Sequence, residues 1–324
     1  MLKAKGIRRP TPIQMQALSC ALSGRDIIGV AYTGSGKTLV FALPSVIVAL
    51  EEEVRRPIVG KEGPFCLLIC PSRELARQTY EIVTEFTAAL AEDGYPALRT
   101  LLCIGGIQTD AATPRVRGVH IVVGTPGRTA ENLRRSVYGL EFCRMLCLDD
   151  AYRLLDFTYE EDLHKIISFF DHQRQTLLFS ATMPEKVQQF AKESLVRPVL
   201  INTGRAGAAS MDVIQEVELV KEEAKLPYLV ECLQKTAPPV LIFCQHKQTV
   251  DAVNVHLLEK GVHSVCIHGG MEQKDREEAI RLFKSGAKEV LVATDIASKG
   301  LDFPDIQHVI NYDMVCTLLF IFIT

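Results

Sequence analysis

Residues 25–45 read RDIIGVAYTGSGKTLVFALPS. An apolar run, residues 26–30, leads into a Gly-rich stretch, AYTGSGKT at 31–38, and then into a helix-like segment, LVFALPSVIVAL at 39–50. Strand, Gly-rich turn, Gly-Lys-Thr and helix is the context a phosphate-binding loop requires. Gly34 and Gly36 let the backbone turn its N–H groups inward around phosphate oxygens, within a loop completed by Ala31, Tyr32, Thr33 and Ser35. Lys37 offers charge to the outer phosphates and Thr38 a hydroxyl to Mg²⁺, and the helix N-terminus adds its dipole. A Gly-rich loop with an incidental lysine is the competing interpretation, but motif and context agree against it.

Similar alternation extends outward. Upstream of residue 204 the apolar runs are DIIGVAYT, FCLLICPS, LRTLLCIGG, VHIVVGTPG, RMLCLDDA, RQTLLFSATM and PVLINT. Between them lie amphipathic stretches, such as RELARQTYEIVTEFTAALAED at 73–93, where apolar residues recur at three- and four-residue spacing. Near-continuous apolar strands separated by helices predict a parallel sheet covered on both faces. Residues 51–64, EEEVRRPIVGKEGP, are expected to form a solvated loop. Around 203–213 the pattern breaks at TGRAGAAS, which suits a linker. It then resumes as IQEVELV, PVLIFC, HSVCIHGG, KEVLVATD and HVINYD. We expect two α/β units in tandem, residues 1–204 and 214–324, joined at 205–213, with the second ending early.

With 324 residues the chain is long enough for about two domains. Its formal net charge is −3, so any nucleic acid must be held by a local patch rather than by a global field. The ten cysteines include no Cys-x-x-Cys pair, which argues against zinc, and free thiols at this number fit a reducing compartment. MLKAKGIRRP at the start has no apolar h-region, so no signal peptide is expected. The most apolar stretch, Val315 to Ile323, is shorter than the ~20 residues a membrane-spanning helix takes.

A phosphate loop also needs an acid at the end of a neighbouring strand to hold Mg²⁺. The run Met145-Leu146-Cys147-Leu148 ends in Asp149 and Asp150. Alone, that pair would be a surface turn; beside a phosphate loop it is better read as a metal-holding corner, with Asp149 as the ligand.

Several short segments now occur in one order: GIRRPTPIQ (6–14), AYTGSGKT (31–38), PSRELA (71–76), GG (105–106), TPGR (125–128), SAT (180–182), LIFCQ (241–245), HGGMEQKDR (268–276) and ATDIASKGLD (293–302). In these the chain resembles the DEAD-box ATP-dependent RNA helicases of superfamily 2. GRAGAAS, DVIQEVE, ECLQKT and GLDFPDIQHVINYDM resemble its Abstrakt-type branch in particular. The resemblance implies two tandem RecA-like parallel-sheet domains, the second incomplete, that bind Mg²⁺ and ATP and remodel RNA.

Roles follow from the resemblance. Gln14 would read adenine, since an amide donates and accepts at once. Pro71, Arg73, Gly105, Gly106, Thr125, Pro126, Gly127 and Arg128 would line an RNA path, with glycines admitting phosphates and arginines supplying charge. Without the family, TPGR is simply a turn and Gln14 an ordinary polar residue. Ser180 and Thr182 would couple nucleotide state to RNA. In the second unit Gln273, Arg276 and Thr294 would continue the path, and Asp302 would reach the ATP ribose. His268 is expected to be structural rather than a metal ligand. Lys37, Asp149, Asp150, Ser180 and Thr182 form the implied catalytic set.

Two departures stand out. The family reads Asp-Glu-Ala-Asp where this chain has Asp149-Asp150-Ala151-Tyr152. Asp150 is one methylene shorter than the Glu that orients the attacking water, a withdrawal of roughly 1.5 Å that can cost ~10²-fold in rate. Tyr152 replaces a carboxylate with a bulky phenol. The family's His-Arg-x-Gly-Arg-x-Gly-Arg element and the branch's zinc knuckle are not found after NYDM (311–314), where the sequence reads VCTLLFIFIT. Two alternatives therefore stand beside the helicase: a hydrolysis-impaired, nucleotide-responsive RNA clamp, and a truncated, inactive paralogue. RNA and RNA-processing proteins are the implied partners, in a nuclear setting, with no membrane and no structural zinc.

Overall fold

The computed structural model describes the chain apart from residues 1, 3–5, 33, 107–117, 156–158, 204–213, 295–302, 304–305, 307 and 314–324. Thr33, Asp302 and the linker expected at 205–213 lie outside the described residues, as does the tail after residue 313. The chain divides into two compact units, Met1–Ala208 and Ala209–Thr324.

In the first unit seven strands form one sheet: β1 (Ile27–Ala31), β2 (Cys66–Ile69), β3 (Thr100–Cys103), β4 (Ile121–Gly124), β5 (Met145–Leu148), β6 (Gln175–Ser180) and β7 (Val199–Thr203). Their order is β3-β4-β2-β5-β6-β1-β7. Every neighbouring pair is parallel. The sequence dictates this. Successive residues of a strand face opposite sides, and in β5 both sets are apolar. Met145 and Cys147 enter one core, and Leu146 and Leu148 enter the other. The first core is covered by helices Pro12–Leu22, Lys37–Arg55 and Arg73–Glu92, whose buried residues include Ala17, Phe41 and Val83. The second is covered by Pro126–Arg134, Glu160–Ser168 and Glu185–Ser194, which bury Leu133, Leu163 and Phe190. Gly29 has a packing reason: it lies opposite Phe179 in the β1–β6 pair, and a methyl group there would overlap the ring.

The helix Lys37–Arg55 corrects the loop expected at 51–64 over its first five residues, though the stretch is largely exposed as expected. Residues 51–55 are helical because three glutamates are good helix formers and Glu52 pairs with Arg55 at 3.1 Å. Beyond it, Ile58 is buried, and its N–H donates to Glu53 Oε2 at 2.8 Å. Glu53 also faces the fully buried His120 at 3.0 Å. The segment is therefore anchored at Glu53 and Ile58, while Val54, Arg55, Arg56 and Val59 remain exposed.

The second unit contains β8 (Val240–Cys244), β9 (Ser264–Ile267), β10 (Val290–Thr294) and β11 (His308–Asn311) in a parallel sheet of order β11-β8-β10-β9. Helices Lys225–Leu233 and Lys247–Glu259 cover one face, and Gln273–Lys284 the other. IQEVELV, expected as a strand, has no ladder partner among the described residues. Ile214, Val217 and Leu219 are exposed there. Strand propensity becomes a strand only where another backbone supplies hydrogen bonds. Among the described residues no helix is long and apolar enough to cross a membrane.

Candidate nucleotide and nucleic-acid site

The strand order determines which loops meet. In an open parallel sheet, ligands bind beyond the carboxyl ends of the strands. In the first unit these ends divide into two groups. β5, β6 and β1 are adjacent, so Asp149, Ser180 and the loop 31–38 emerge side by side. β2, β4 and β3 are adjacent, so Pro71, Thr125 and Gly105 do likewise.

Within the first group the loop is held from below. Lys37 Nζ donates to the carbonyls of Ala31 and Tyr32, both at 2.8 Å. Gly36 has φ +86°, a left-handed conformation that L side chains seldom adopt, and caps the helix Lys37–Arg55. Gly34 is also left-handed, at φ +81°, but opens onto free space. Gln14 stands in the first turn of the helix Pro12–Leu22, with Pro12 at its start. Its Oε1 accepts from the Thr11 N–H at 3.0 Å, and its Nε2 donates to the Gly36 carbonyl at 3.0 Å. The GIRRPTPIQ segment is thus pinned to the phosphate loop. Alanine at 36 would meet both obstacles at once: about 1–2 kcal/mol of left-handed strain and a methyl overlapping the Gln14 amide. We expect Gly36→Ala to lose at least about tenfold in nucleotide affinity, measured by fluorescent-nucleotide titration, and unchanged affinity would refute the pinning.

The acid and the lysine beside the loop are both desolvated. Asp149 is 6% exposed, and burial, reinforced by the neighbouring Asp150, pushes its carboxyl up to about 6 against the pull of Lys37. Burial also lowers Lys37 from its usual value, opposed by Asp149 and Asp150. The Ser35, Ser180 and Thr182 hydroxyl oxygens are buried without a hydrogen-bond partner among the described residues. Buried polar groups are normally satisfied, so these three beside the phosphate loop and Asp149 fit a polar occupant. Thr38 lies in the first turn of the helix, half-buried. Its hydroxyl and the desolvated Asp149 carboxylate are the oxygen donors that could hold Mg²⁺ here.

Asp150 has φ 55° and ψ 57°, a left-handed conformation that Asp tolerates better than most residues. Its Oδ2 lies 3.7 Å from Arg153 Nε, one turn ahead. Arg153 was not singled out from the sequence, although the three-residue spacing from Asp150 could have marked it. Tyr152 is half-buried and packs against the second core, so its ring serves apolar packing.

In the second group, the Arg73 guanidinium lies against Gly105, 3.1 Å from where a methyl would stand. Ser72 caps the helix Arg73–Glu92 by accepting from the Leu75 N–H at 3.1 Å. Thr125 stands at the N-terminal end of the helix Pro126–Arg134 without a side-chain capping bond, and its N–H donates to the Cys103 carbonyl at 2.9 Å. That bond ties TPGR to the strand leading into Gly105 and Gly106. Pro126 is buried, Gly127 faces Asp162, and Arg128 Nε lies 3.4 Å from Glu131. Pro71 is buried at the end of β2. Glycines, an N-terminal helix end and two arginines on three adjacent strand ends make a surface suited to a phosphodiester backbone.

In the second unit Gln273 opens the helix Gln273–Lys284, and its amide donates to Glu277 at 3.3 Å. Arg276, one turn on, and Thr294, ending β10, are each 8% exposed. His268 follows β9, also 8% exposed, with its Nε2 3.0 Å from Asp251.

The DEAD/DEAH box helicase model matches residues 11–190, and the helicase conserved C-terminal domain matches 224–319. The chain is 62% identical over 314 residues to DEAD-box ATP-dependent RNA helicase 35 of Arabidopsis thaliana, covering 97% of this chain and 53% of that protein. It is 58% identical over 314 residues to the ATP-dependent RNA helicase abstrakt of Drosophila melanogaster, covering 97% of this chain and 51% of that one. The chain thus spans about half the length of these curated relatives. Among solved structures, S. cerevisiae Dbp5 bound to RNA and ADP BeF3 aligns with a TM-score of 0.83 at 26% identity, covering 98% of this chain and 78% of that one.

Proposed function

The chain belongs to the DEAD-box helicase family, and from that premise we propose that it binds Mg-ATP at the loop 31–38 and uses it to remodel RNA. One observation carries this: a single sheet presents a phosphate loop with its buried acid on one set of strand ends and a glycine–arginine surface on the next. Lys37 and the N–H groups of the loop would hold the phosphates, and Gln14 would read the base while bracing Gly36. Thr38 and Asp149 would hold the magnesium, which when bound supplies positive charge to the phosphate oxygens. Asp150 would orient water, and Ser180 and Thr182 would relay nucleotide state to the RNA side. Arg73, Gly105, Gly106 and the helix end Thr125–Arg128 would grip the RNA backbone. Gln273, Arg276 and Thr294 would do so in the second unit, where Asp302 would serve the ribose.

The clamp and the inactive paralogue are not favoured by relatives that cover 97% of the chain and are named ATP-dependent RNA helicases. The Abstrakt resemblance supports a nuclear, RNA-processing role with protein partners. Steady-state ATP hydrolysis with and without single-stranded RNA tests the proposal. Turnover is expected to rise with RNA; ATP binding with no turnover under either condition would instead identify the clamp.

A further inference from the structure

Three donor atoms in the second unit, from Asp251, Cys266 and His268, lie within 4.8 Å of one another. The hydrogen bonding argues against a metal there. The Gly270 N–H donates to His268 Nδ1 at 3.1 Å, so that nitrogen carries a lone pair. In a neutral imidazole the proton then resides on Nε2, which faces Asp251 Oδ1 at 3.0 Å. Both ring nitrogens are committed, and neither offers a lone pair to an ion. The same geometry ties three elements together. His268 leaves β9, its carbonyl accepts from the Met271 N–H at 3.1 Å, and Asp251 belongs to the helix Lys247–Glu259. The turn it closes runs directly into Gln273, the first residue of the helix that carries Arg276. Gly270 lies close to the ring: a methyl there would stand 3.2 Å from Nδ1 and 3.6 Å from the Lys247 stem.

We propose that His268 is a positioning residue for RNA: as a neutral imidazole bridging Gly270 and Asp251, it fixes the HGG turn and, through it, the placement of Gln273 and Arg276. This rests on the reading that Gln273 and Arg276 face RNA. Asp251, with a side chain 55% exposed, contributes as an anchor on the neighbouring helix rather than as a contact to the ligand. An amide oxygen can accept the same N–H, so the anchor does not require charge.

The test uses the full chain, fluorescein-labelled single-stranded RNA and a non-hydrolysable ATP analogue. Asp251→Leu and His268→Leu are expected to weaken RNA binding about tenfold, the size of one lost hydrogen bond in an ordered turn. Nucleotide uptake by the first unit is expected to stay unchanged. Asp251→Asn should bind RNA like the parent, and His268→Gln should recover part of the loss. Imidazole ¹⁵N spectra should place the His268 proton on Nε2. Because Asp251 is exposed, its variants decide the matter even if His268→Leu fails to fold. Arg276→Ala separates the two levels. If it weakens RNA binding while Asp251→Leu does not, the positioning role is overturned alone; if it too is silent, the RNA reading of this helix falls and the proposal with it. Zinc uptake that depends on His268 would also overturn it.

Discussion

Lys37→Ala is expected to reduce ATP turnover by about 10²–10³-fold, the range found when one preorganised donor to developing charge is removed. Two terms combine. The ammonium is the phosphate loop's own cation, and its two 2.8 Å bonds to the Ala31 and Tyr32 carbonyls hold the loop's mouth. Removing it therefore loses both charge and shape. The fold should survive, because burial penalises this ammonium, as its lowered pKa records, and alanine relieves that cost while giving up the two bonds. Thermal melting within a few degrees of the parent, alongside collapsed turnover and nucleotide uptake, is the expected pair of results. Undiminished RNA-stimulated turnover would remove the loop 31–38 from the chemistry.

How far this site could be read from the sequence depends on the kind of contact. The loop's conformation follows from local spacing, and Gly34 and Gly36 are left-handed as their place in the motif requires. The two-sided strands were legible because MLCL in β5 is apolar at every position. Contacts closed by the chain's return were not. No spacing shows that Gln14 donates to the Gly36 carbonyl, or that Glu53 ends against His120. The latter pairing anchors a segment that is otherwise solvated, as its hydrophilic composition implies, but helical rather than looped over residues 51–55. IQEVELV failed in the opposite direction: its alternation describes a side-chain pattern, while a strand is defined by a partner's backbone. Arg153 lay within reach of the sequence, three residues from Asp150, but only its 3.7 Å approach shows which way the carboxylate leans.

That lean decides what restoring the family's acidic motif should do. Asp150→Glu adds a methylene, giving the carboxylate roughly 1.5 Å more reach beyond the turn it shares with Arg153. Since a misplacement of about 1 Å can cost ~10²-fold, the substitution is expected to raise kcat by up to that factor with little change in KM. It also has a cost. At φ 55° and ψ 57° Asp is more tolerant than Glu, so the variant should melt slightly below the parent, by on the order of 1 kcal/mol. Tyr152→Asp should behave differently. Its ring packs against the second core, and exchanging that area for a carboxylate is expected to cost about 1–3 kcal/mol without a comparable gain in rate. The two changes therefore separate catalysis from packing within one turn of chain. Steady-state kinetics and melting on each single variant measure both. A Glu at 150 that leaves kcat unchanged would mean the shortened carboxylate already reaches the water, and that the turn with Arg153 holds it in place to do so.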